Sequence, residues 1–383
     1  MFRTFAERSV PVSAQGLQAG FVGAAVFDAV ATVEGRDRPY LDQEPAARGA
    51  SVQAAAATAA YRVLVALGPD TTGSLRADYD AWLAHVTDAT SRAAGVRVGD
   101  NAADTLLAAR VGDGRDAPIT LVTTPGPGVW DPPPTGMVTP WLGFVTPMVL
   151  PTATSIHLSG PRSLTSRAYA AEFDEVRRMG AKTGSDRTTA QTQLALFFND
   201  NAVRQYNVAL ADRLTRHSAS AADAARAFGL LNLSTADALI TCWRSKYDVH
   251  SWRPMQAIQR ADTDGNAATT AQTAWEPLVP NPPYSEYASG HACITGAFSE
   301  TMASLYGADR IDATIVSAVT NTSRHYAAAA ALTRDTKNAR IWLGLHFRKA
   351  MDDGNRIGRE VVDYVVDRVL EHRTHRDRQG DDD

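Results

Sequence analysis

The sequence predicts a mainly helical fold, and three observations lead to this prediction. Apolar residues recur at helical spacing over most of the chain. Small polar residues of the kind that cap helix N-termini precede several of these segments. Proline and glycine, which interrupt helices, are concentrated in one internal stretch, residues 112–161. The chain has 383 residues, 44% of them hydrophobic and 21% charged, so it can bury a large core.

Four helices are predicted in the N-terminal part. Residues 15–34 carry apolar residues at helical spacing and run into an exposed connection, so they predict a buried helix. A second helix is expected over residues 47–67, ending at the sequence GPD. Residues 75–94 and 100–111 predict the third and fourth helices.

The segment from Gly112 to Pro161 is predicted to be an ordered crossover. It contains PGPGVWDPPP and VLPTATSIHLSGP, in which no long helix can form. Its tryptophans indicate that it packs onto the protein instead of floating as a linker. We therefore divide the chain into an N-terminal helical half with this crossover (residues 1–160), a C-terminal helical bundle (residues 161–371) and a charged tail (residues 372–383).

The C-terminal half repeats the helical pattern. Predicted helices cover residues 163–181, 185–215, 218–245, 295–306, 311–331 and 340–370, with Ser163, Ser185 and Ser218 or Ser220 as N-caps. The chain shows no fixed-period repeat. The charged tail is expected to be exposed and frayed.

Composition argues against several classes of function. A formal net charge of -4 gives no reason to expect nucleic acid as a partner, since nucleic acid requires a strongly basic face. Cys242 and Cys293 lack the spacing of a zinc site, and we expect free buried thiols, with a disulfide between them left open. We predict no membrane span and no signal peptide, hence a soluble protein, either cytoplasmic or secreted if a leader precedes the first residue.

The first segment with chemical potential is KYDVHSWRP, in which Lys246 precedes Arg253 by seven positions. Seven residues make about two helical turns, so both side chains can face the same side if the helix continues to Pro254. Arginine offers a planar fork and lysine a point charge. Together they suit an oxyanion with several equivalent oxygens.

The second segment places Ser289, Gly290 and His291 between a proline-rich loop and an apolar helical run. Exposed backbone amides and the positive end of the helix dipole make such a turn a site for an anion. No side chain obstructs the amide of Gly290. His291 can then exchange a proton with a group that leaves the central atom.

The third segment is ARIWLGLHFRKAMDDG, in which Arg340 precedes His346 by six positions. Six residues do not return to the same helix face, so we expect a bend near Gly344. Arg340 would be a further charge partner for the oxyanion. His346 would offer a ring nitrogen to the central atom, as a nucleophile or as a ligand.

These three segments, in this order, resemble the signature shared by vanadium-dependent haloperoxidases and type 2 phosphatidic acid phosphatases. The stretch GAAVFDAVATVEGRDRPYL and the ending HFRKAMDDGNRIGREVVDYVVDRVL also resemble bacterial haloperoxidase-like proteins. The resemblance is sharp between Lys246 and His346 and weaker elsewhere. It implies helical bundles of the vanadium chloroperoxidase type with long Pro/Gly-rich connections, and it suggests a homodimer.

The resemblance also implies a cofactor and roles for the matching residues. Vanadate is the implied cofactor, and phosphate can occupy the same site. The residues that would hold its oxygens are Lys246, Arg253, Ser289, Gly290 and Arg340. His291 would be the acid–base group, and His346 the axial ligand of vanadium. Hydrogen peroxide and halide would be the substrates, with an organic acceptor as a further candidate partner.

The sequence departs from the family pattern at three positions. Ala288 stands where proline is common, and Ala339 where serine is common. Ala350 stands where known haloperoxidases have an aspartate near the ligand histidine, so either Asp352 or Asp353 takes that role or no residue does. Tyr284 resembles the residue that shapes the halide pocket.

Three functions remain open at this stage. The first is halide oxidation by hydrogen peroxide to hypohalous acid at a His-bound vanadate, in which the cations activate the peroxide. The second is a soluble acid phosphatase, with a phospho-histidine at His346 and His291 protonating the leaving alcohol. The third is a non-catalytic anion-binding protein. Structural roles also stay open: the arginines as helix-end ion pairs, the histidines as core residues and Ser289 as a helix cap.

Overall fold

The structure is a computed structural model that describes residues 1–369, and it confirms the mainly helical prediction. The α-helices are α1 (Phe2–Glu7), α2 (Val12–Glu34), α3 (Val52–Ala66), α4 (Ser74–Ala84), α5 (Ala89–Ala109), α6 (Arg167–Met179), α7 (Thr189–Phe197), α8 (Ala202–Arg216), α9 (Ala221–Val249), α10 (Pro254–Gln259), α11 (Gly290–Tyr306), α12 (Ala329–Trp342) and α13 (Arg348–Val369). The other regular elements of these residues are the 3-10 helices Pro140–Phe144 and Ala261–Thr263 and the antiparallel strands β1 (Ala313–Ser317) and β2 (Thr322–Tyr326). The predicted tail at residues 372–383 lies outside the described residues.

The helix α2 is the core helix of the fold. It packs along α9, with α3 and α5 beside it. Among the described helices it alone is long and apolar enough to cross a membrane, yet 78% of its apolar window is buried inside the protein. Glycine lets α2 and α9 approach closely, because a Cβ on Gly20 would lie 2.7 Å from the Cβ of Ala236. The apolar length of α2 therefore serves the protein interior.

Two predicted helix boundaries in the N-terminal half are wrong. The helix expected over residues 75–94 is broken, since α4 ends at Ala84 and Asp88 caps the start of α5 through the amide of Ser91. The break expected before residue 100 is absent. The glycines there lie inside α5, where a Cβ on Gly99 would come within 2.4 Å of the Ala55 carbonyl oxygen of α3. These glycines allow α5 to lie close to α3, and they do not end the helix.

In the C-terminal half, the helix predicted over residues 311–331 is wrong. Residues 313–326 form a β-hairpin instead, and α12 begins only at Ala329. The run of β-branched residues at 314–316 favours a strand, and the left-handed backbone of Asn321, with φ of 51°, forms the turn. The predicted helix over 185–215 is two helices, α7 and α8, because the side chain of Asn201 caps a new start.

Two buried carboxylates hold irregular segments against the core helices. Asp28 of α2 accepts hydrogen bonds from the amides of residues 40 and 41, and Asp237 of α9 accepts them from the amides of residues 148–150. Burial raises the pKa of Asp28 to about 7 and that of Asp237 to about 6, against the opposing effect of these hydrogen bonds. The crossover therefore packs down, as the sequence predicts.

Replacing Asp28 with Asn should lower the free energy of unfolding more at pH 5 than at pH 8. Because the folded-state pKa is raised, the contribution of Asp28 to stability is largest below the unfolded value and is lost as pH rises through about 7. The Asn side chain does not titrate. The difference in free energy of unfolding between the unaltered protein and the variant should therefore be roughly 1–3 kcal/mol smaller at pH 8 than at pH 5. Denaturant unfolding at both pH values measures this difference. An equal difference at pH 5 and pH 8 would contradict the raised pKa of Asp28.

The helices α11 and α13 are in backbone contact, which fixes the Ser-Gly-His turn at the start of α11. A Cβ on Gly354 would lie 2.7 Å from the carbonyl oxygen of Ser289, and one on Gly358 would lie 2.2 Å from that of Cys293. Gly358→Ala should therefore destabilise the fold by about 3 kcal/mol, the upper range for overpacking. Denaturant unfolding tests this value, with the exposed neighbour Arg359→Ala as the control that should change little. Equal effects of the two variants would refute the close contact.

Candidate oxyanion site

The predicted site residues lie at helix ends and in turns. Their positions are Lys246 in the last turn of α9, Arg253 at the N-cap of α10, Ser289 at the N-cap of α11, Gly290 and His291 at the start of α11, Arg340 in the last turn of α12 and His346 in the loop before α13. Burial is nearly complete, since Lys246 and Ser289 are 0% exposed, Arg253 and His346 1%, and Arg340 2%.

Lys246 and Arg253 converge through a shared loop, not along one helix face. The helix expected to join them ends at Val249, because His250 adopts a left-handed backbone with φ of 34°. Lys246 Nζ donates to the carbonyl oxygens of residues 285 and 286 at 2.9 and 3.0 Å. Arg253 Nε donates to the carbonyl oxygen of Tyr284 at 2.9 Å. The loop 284–286 thus holds both cations beside the Ser-Gly-His turn.

The third segment reaches the same place by the predicted bend. Gly344, with φ of 78°, turns the chain after α12. A side chain there would also collide with the Cβ of Pro277, 2.7 Å from the position of its Cβ. Beyond the bend, His346 Nε2 lies 3.3 Å from Arg253 Nη1, which also donates to the carbonyl oxygen of Leu345 at 2.9 Å. The imidazole and the first arginine are therefore direct neighbours.

A residue that the sequence analysis missed, Glu286, sets the tautomer of His346. Its Oε1 accepts the amide N–H of Phe347 at 3.0 Å and lies 3.0 Å from His346 Nδ1. Because this oxygen acts as an acceptor, His346 donates the hydrogen of its Nδ1 to it. The lone pair of His346 is therefore at Nε2. The signal in the sequence is a carboxylate three residues before Ser289.

The two aspartates considered for this role are occupied elsewhere. Asp352 pairs with Lys337 at 2.8 Å. Asp353 accepts a hydrogen bond from Tyr287 and pairs with Lys349. Of the alternatives drawn from the sequence, no aspartate supports His346, and a glutamate from another segment does.

The three cations of the site contact backbone oxygens and not carboxylates. In residues 1–369, none of Lys246, Arg253 and Arg340 forms an ion pair with a carboxylate; their partners are backbone carbonyl oxygens. The nearby carboxylate of Glu286 accepts a hydrogen bond from His346 Nδ1. Three buried polar atoms, one from each segment, have no hydrogen-bond partner: Arg253 Nη2, Ser289 Oγ and Arg340 Nε. Buried donors are normally satisfied, so this set fits a bound anion.

These observations bear on the structural alternatives. Arg253 and Arg340 are not helix-end ion pairs. Ser289 occupies the N-cap of α11, but its side chain makes no capping hydrogen bond. The described residues also contain no group of three or more His, Cys, Asp or Glu side chains that could hold a metal cation. The donors that meet here, three cations and the hydroxyl group of Ser289, suit an oxyanion.

Burial shifts the pKa of each group toward the neutral form. It lowers the pKa of Lys246 to about 8 and that of Arg340 to about 10. The pKa of His346 falls well below its ordinary value through burial and through the neighbouring Arg253. Burial raises the pKa of Glu286 to about 7, against the pull of Lys246. An anion in the site would oppose the cation shifts, because it favours the charged forms.

His291 faces a cavity of about 440 Å³ that Gly290, Arg340 and Tyr284 also line. Its Nε2 lies 3.0 Å from the carbonyl oxygen of Asp200; since a carbonyl only accepts, Nε2 carries the hydrogen and Nδ1 the lone pair. Burial, then Arg340, lowers the pKa of His291 well below its ordinary value. The lowered pKa favours the neutral ring, whose Nδ1 lone pair can accept a proton.

Tyr284 lies against both cations of the first segment. Its ring centroid is 5.1 Å from Lys246 Nζ and 4.9 Å from Arg253 Cζ. An aromatic face in this position stabilises the two charges without neutralising them.

The prediction that the cysteines are free is confirmed, since Cys242 and Cys293 are buried thiols.

Comparisons with known proteins agree with the motifs. Residues 226–375 match the family model of the VCPO second helical-bundle domain. The crystal structure of the first bacterial vanadium-dependent iodoperoxidase superposes with a TM-score of 0.81 at 18% identity, covering 97% of this chain and 94% of that one. An apo-type bacterial vanadium-dependent chloroperoxidase gives a TM-score of 0.76 at 18% identity, covering 94% and 93%. No curated protein sequence matches.

The chain therefore has the fold of the bacterial vanadium-dependent haloperoxidases. The resemblance that the three motifs indicate is confirmed at this level.

Proposed function

We propose that the protein is a vanadium-dependent haloperoxidase, which oxidises halide with hydrogen peroxide to hypohalous acid at a vanadate bound to His346. The observation that carries the proposal is the buried set of three cations without carboxylate partners beside His346 Nε2. The fold shared with vanadium-dependent peroxidases supports the choice of anion.

The unpartnered donors assign the binding roles. Arg253 Nη2, Ser289 Oγ and Arg340 Nε would donate to the oxygens of vanadate, together with Lys246 and the amide of Gly290. His346 Nε2 would supply the nitrogen ligand, because Glu286 holds the hydrogen on Nδ1. When bound, vanadate would supply a Lewis-acidic centre at which an oxygen of hydrogen peroxide becomes electrophilic.

Side chains of the protein would provide the electrostatic stabilisation and the proton transfer. The cations attract negative charge strongly because the site is dry, and they are held in place before the reaction begins. His291 would be the acid–base group, because its Nδ1 lone pair could accept a proton from hydrogen peroxide and return it later in the reaction. Halide would approach through the cavity that His291 and Tyr284 line.

A soluble acid phosphatase is the alternative, and one observation favours it as well. The lone pair at His346 Nε2 is also what attack on phosphorus requires, with formation of a phospho-histidine. Phosphate and vanadate have the same shape, so the same donors would hold either anion. The shape of the site therefore does not distinguish the two functions, and assays of both activities are needed.

The test compares both activities in one preparation. Protein incubated with orthovanadate is assayed for peroxide-dependent bromination of phenol red, and vanadate-free protein for hydrolysis of p-nitrophenyl phosphate. We expect bromination that needs vanadate, peroxide and bromide together. Vanadate binding without peroxide-dependent oxidation of either bromide or iodide would refute the peroxidase proposal, and hydrolysis would then support the phosphatase. Binding with neither activity would support an anion-binding protein.

A further inference from the structure

A cavity of about 390 Å³ lies on the Nδ1 side of His346, and the proposed function gives it no role. This rear cavity has walls that include Pro127, Leu164, Glu172, Trp252, Glu286 and Phe347. Among the described residues, none of those proposed to hold the oxyanion lines it. It also shares no wall residue with the cavity that contains His291. Glu286, which accepts the Nδ1 hydrogen of His346, therefore lies between two separate sites.

One carboxylate oxygen in the wall of the rear cavity has no hydrogen-bond donor. Glu286 is nearly buried, with 2% of its side chain exposed. Its Oε1 accepts from His346 Nδ1 and from the amide of Phe347, each at 3.0 Å. Within residues 1–369 no donor reaches Oε2, yet this atom keeps some accessible surface. Since the rear cavity is the described cavity that Glu286 lines, Oε2 faces it.

A buried carboxylate oxygen of this kind calls for a donor, and a cationic donor suits it best. Buried polar groups are normally hydrogen-bonded, and hydrogen bonds between charged groups are stronger than neutral ones. The charges of Lys246 and Arg253 also act on Glu286, but neither residue lines the rear cavity. The missing partner of Oε2 must therefore come from within this cavity.

The two cations in the walls of the rear cavity are already paired with carboxylates. Arg162 Nε donates to Glu172 Oε1 at 3.2 Å, and Lys349 Nζ lies 2.6 Å from Asp353 Oδ2. The second oxygen of Glu172 accepts the amide of Lys349 at 3.2 Å. These pairs leave Glu286 without a cation on this side. The charge of the cavity therefore favours a cationic ligand.

The remaining walls suit the apolar body of such a ligand. Trp252, Tyr169 and Phe347 contribute aromatic rings, and proline and leucine side chains add apolar surface. Aromatic rings attract cations, and an apolar cavity with few polar groups fits a small organic molecule. The hydroxyl group of Tyr169 has no partner and no accessible surface, so it does not bear on the ligand. Ser251 Oγ is occupied by the amide of Tyr287 at 3.2 Å.

We propose that the rear cavity binds a small primary ammonium compound with an apolar body, whose N–H group donates to Glu286 Oε2. The carboxylate would then have two partners, His346 at Oε1 and the ligand at Oε2. No covalent bond is made or broken. The proposal is independent of the proposed function, which concerns the Nε2 side of His346.

The test measures the binding of three probes to the unaltered protein at pH 8 by isothermal titration calorimetry. Benzylammonium carries both a positive charge and N–H donors. Benzyltrimethylammonium carries only the charge, and benzyl alcohol only a donor. We expect benzylammonium to bind roughly tenfold more tightly than either of the others, the effect of one hydrogen bond between charged groups.

The variant Glu286→Gln removes the acceptor and keeps the size of the side chain. Its amide oxygen can accept from His346 and Phe347, which leaves the NH2 group facing the rear cavity. The affinity for benzylammonium should therefore fall roughly ten- to hundredfold. The matched control is Glu276→Gln, because Glu276 is 60% exposed and lines a different cavity. This variant should leave the affinity unchanged.

Three results would overturn the proposed site: no binding of benzylammonium, equal affinities for the three probes, or an affinity that survives Glu286→Gln. An equal loss in Glu276→Gln would also overturn it, because the attraction would then be one of overall charge. Should Glu286→Gln fail to fold, Leu164→Trp decides, since the larger side chain reduces the rear cavity. Unchanged binding in that variant would place the ligand elsewhere. The bromination assay is measured separately and does not alter these outcomes.

Discussion

Replacing His346 with Ala should lower kcat/KM for peroxide-dependent bromination by about 10²–10³, the loss expected when one group that stabilises the reacting centre is removed. His346 is buried, and its Nε2 lone pair faces Arg253. Turnover is measured with phenol red, bromide and peroxide after incubation with orthovanadate. Phosphate hydrolysis should fall with it if the same nitrogen is the nucleophile.

The same variant separates anion binding from catalysis. Lys246, Arg253 and Arg340 remain in His346→Ala, so phosphate binding measured by calorimetry should weaken much less than turnover does. The matched control is His325→Ala, because the side chain of His325 in β2 is 54% exposed and its Nε2 lies 3.7 Å from Asp312 Oδ1, away from the proposed site. Turnover that survives His346→Ala, or that falls equally in the control, would refute the assignment of His346.

Replacing Glu286 with Ala should lower kcat/KM by about 10- to 100-fold, the usual effect of removing the group that orients a metal-binding histidine. The variant leaves two buried donors, His346 Nδ1 and the amide of Phe347, without an acceptor. This should also lower the free energy of unfolding by about 1–3 kcal/mol. Dye bromination and denaturant unfolding measure the two effects.

The conservative variant Glu286→Gln distinguishes positioning of His346 from a purely structural role. The amide oxygen of Gln can still accept from both donors, so most of the activity should return. A space-filling substitution without an acceptor, Glu286→Met, should not restore it. If Met restored turnover as well as Gln does, Glu286 would only fill space, and the proposed orientation of His346 would be wrong.

The sequence predicted the chemical components of the site because these are local properties. Ser289 and Gly290 stand at a helix start that the proline-rich loop and the apolar run define, and the bend at Gly344 follows from the spacing of Arg340 and His346. The residue types alone indicate an oxyanion. The roles of these residues stay predictions until the variants are measured.

What the sequence could not predict depends on contacts between distant segments. Glu286 looks like an ordinary loop carboxylate until the fold places it against His346, 60 positions away. Lys246 and Arg253 meet through carbonyl oxygens of another loop, although helical spacing predicted one shared face. The glycines of α5 resemble helix breakers because the neighbouring helix that requires them is not visible in the local sequence.

The uncompensated cations also link folding to ligand. Taking charges without a carboxylate partner out of water is unfavourable, so the buried cations of the proposed site should lower the stability of the protein when no anion is bound. A tetrahedral anion relieves it only in the folded state, and ligand that binds only this state shifts the unfolding equilibrium toward it. If the proposed site binds phosphate or vanadate, the thermal stability of the protein should therefore depend on the anions in its buffer.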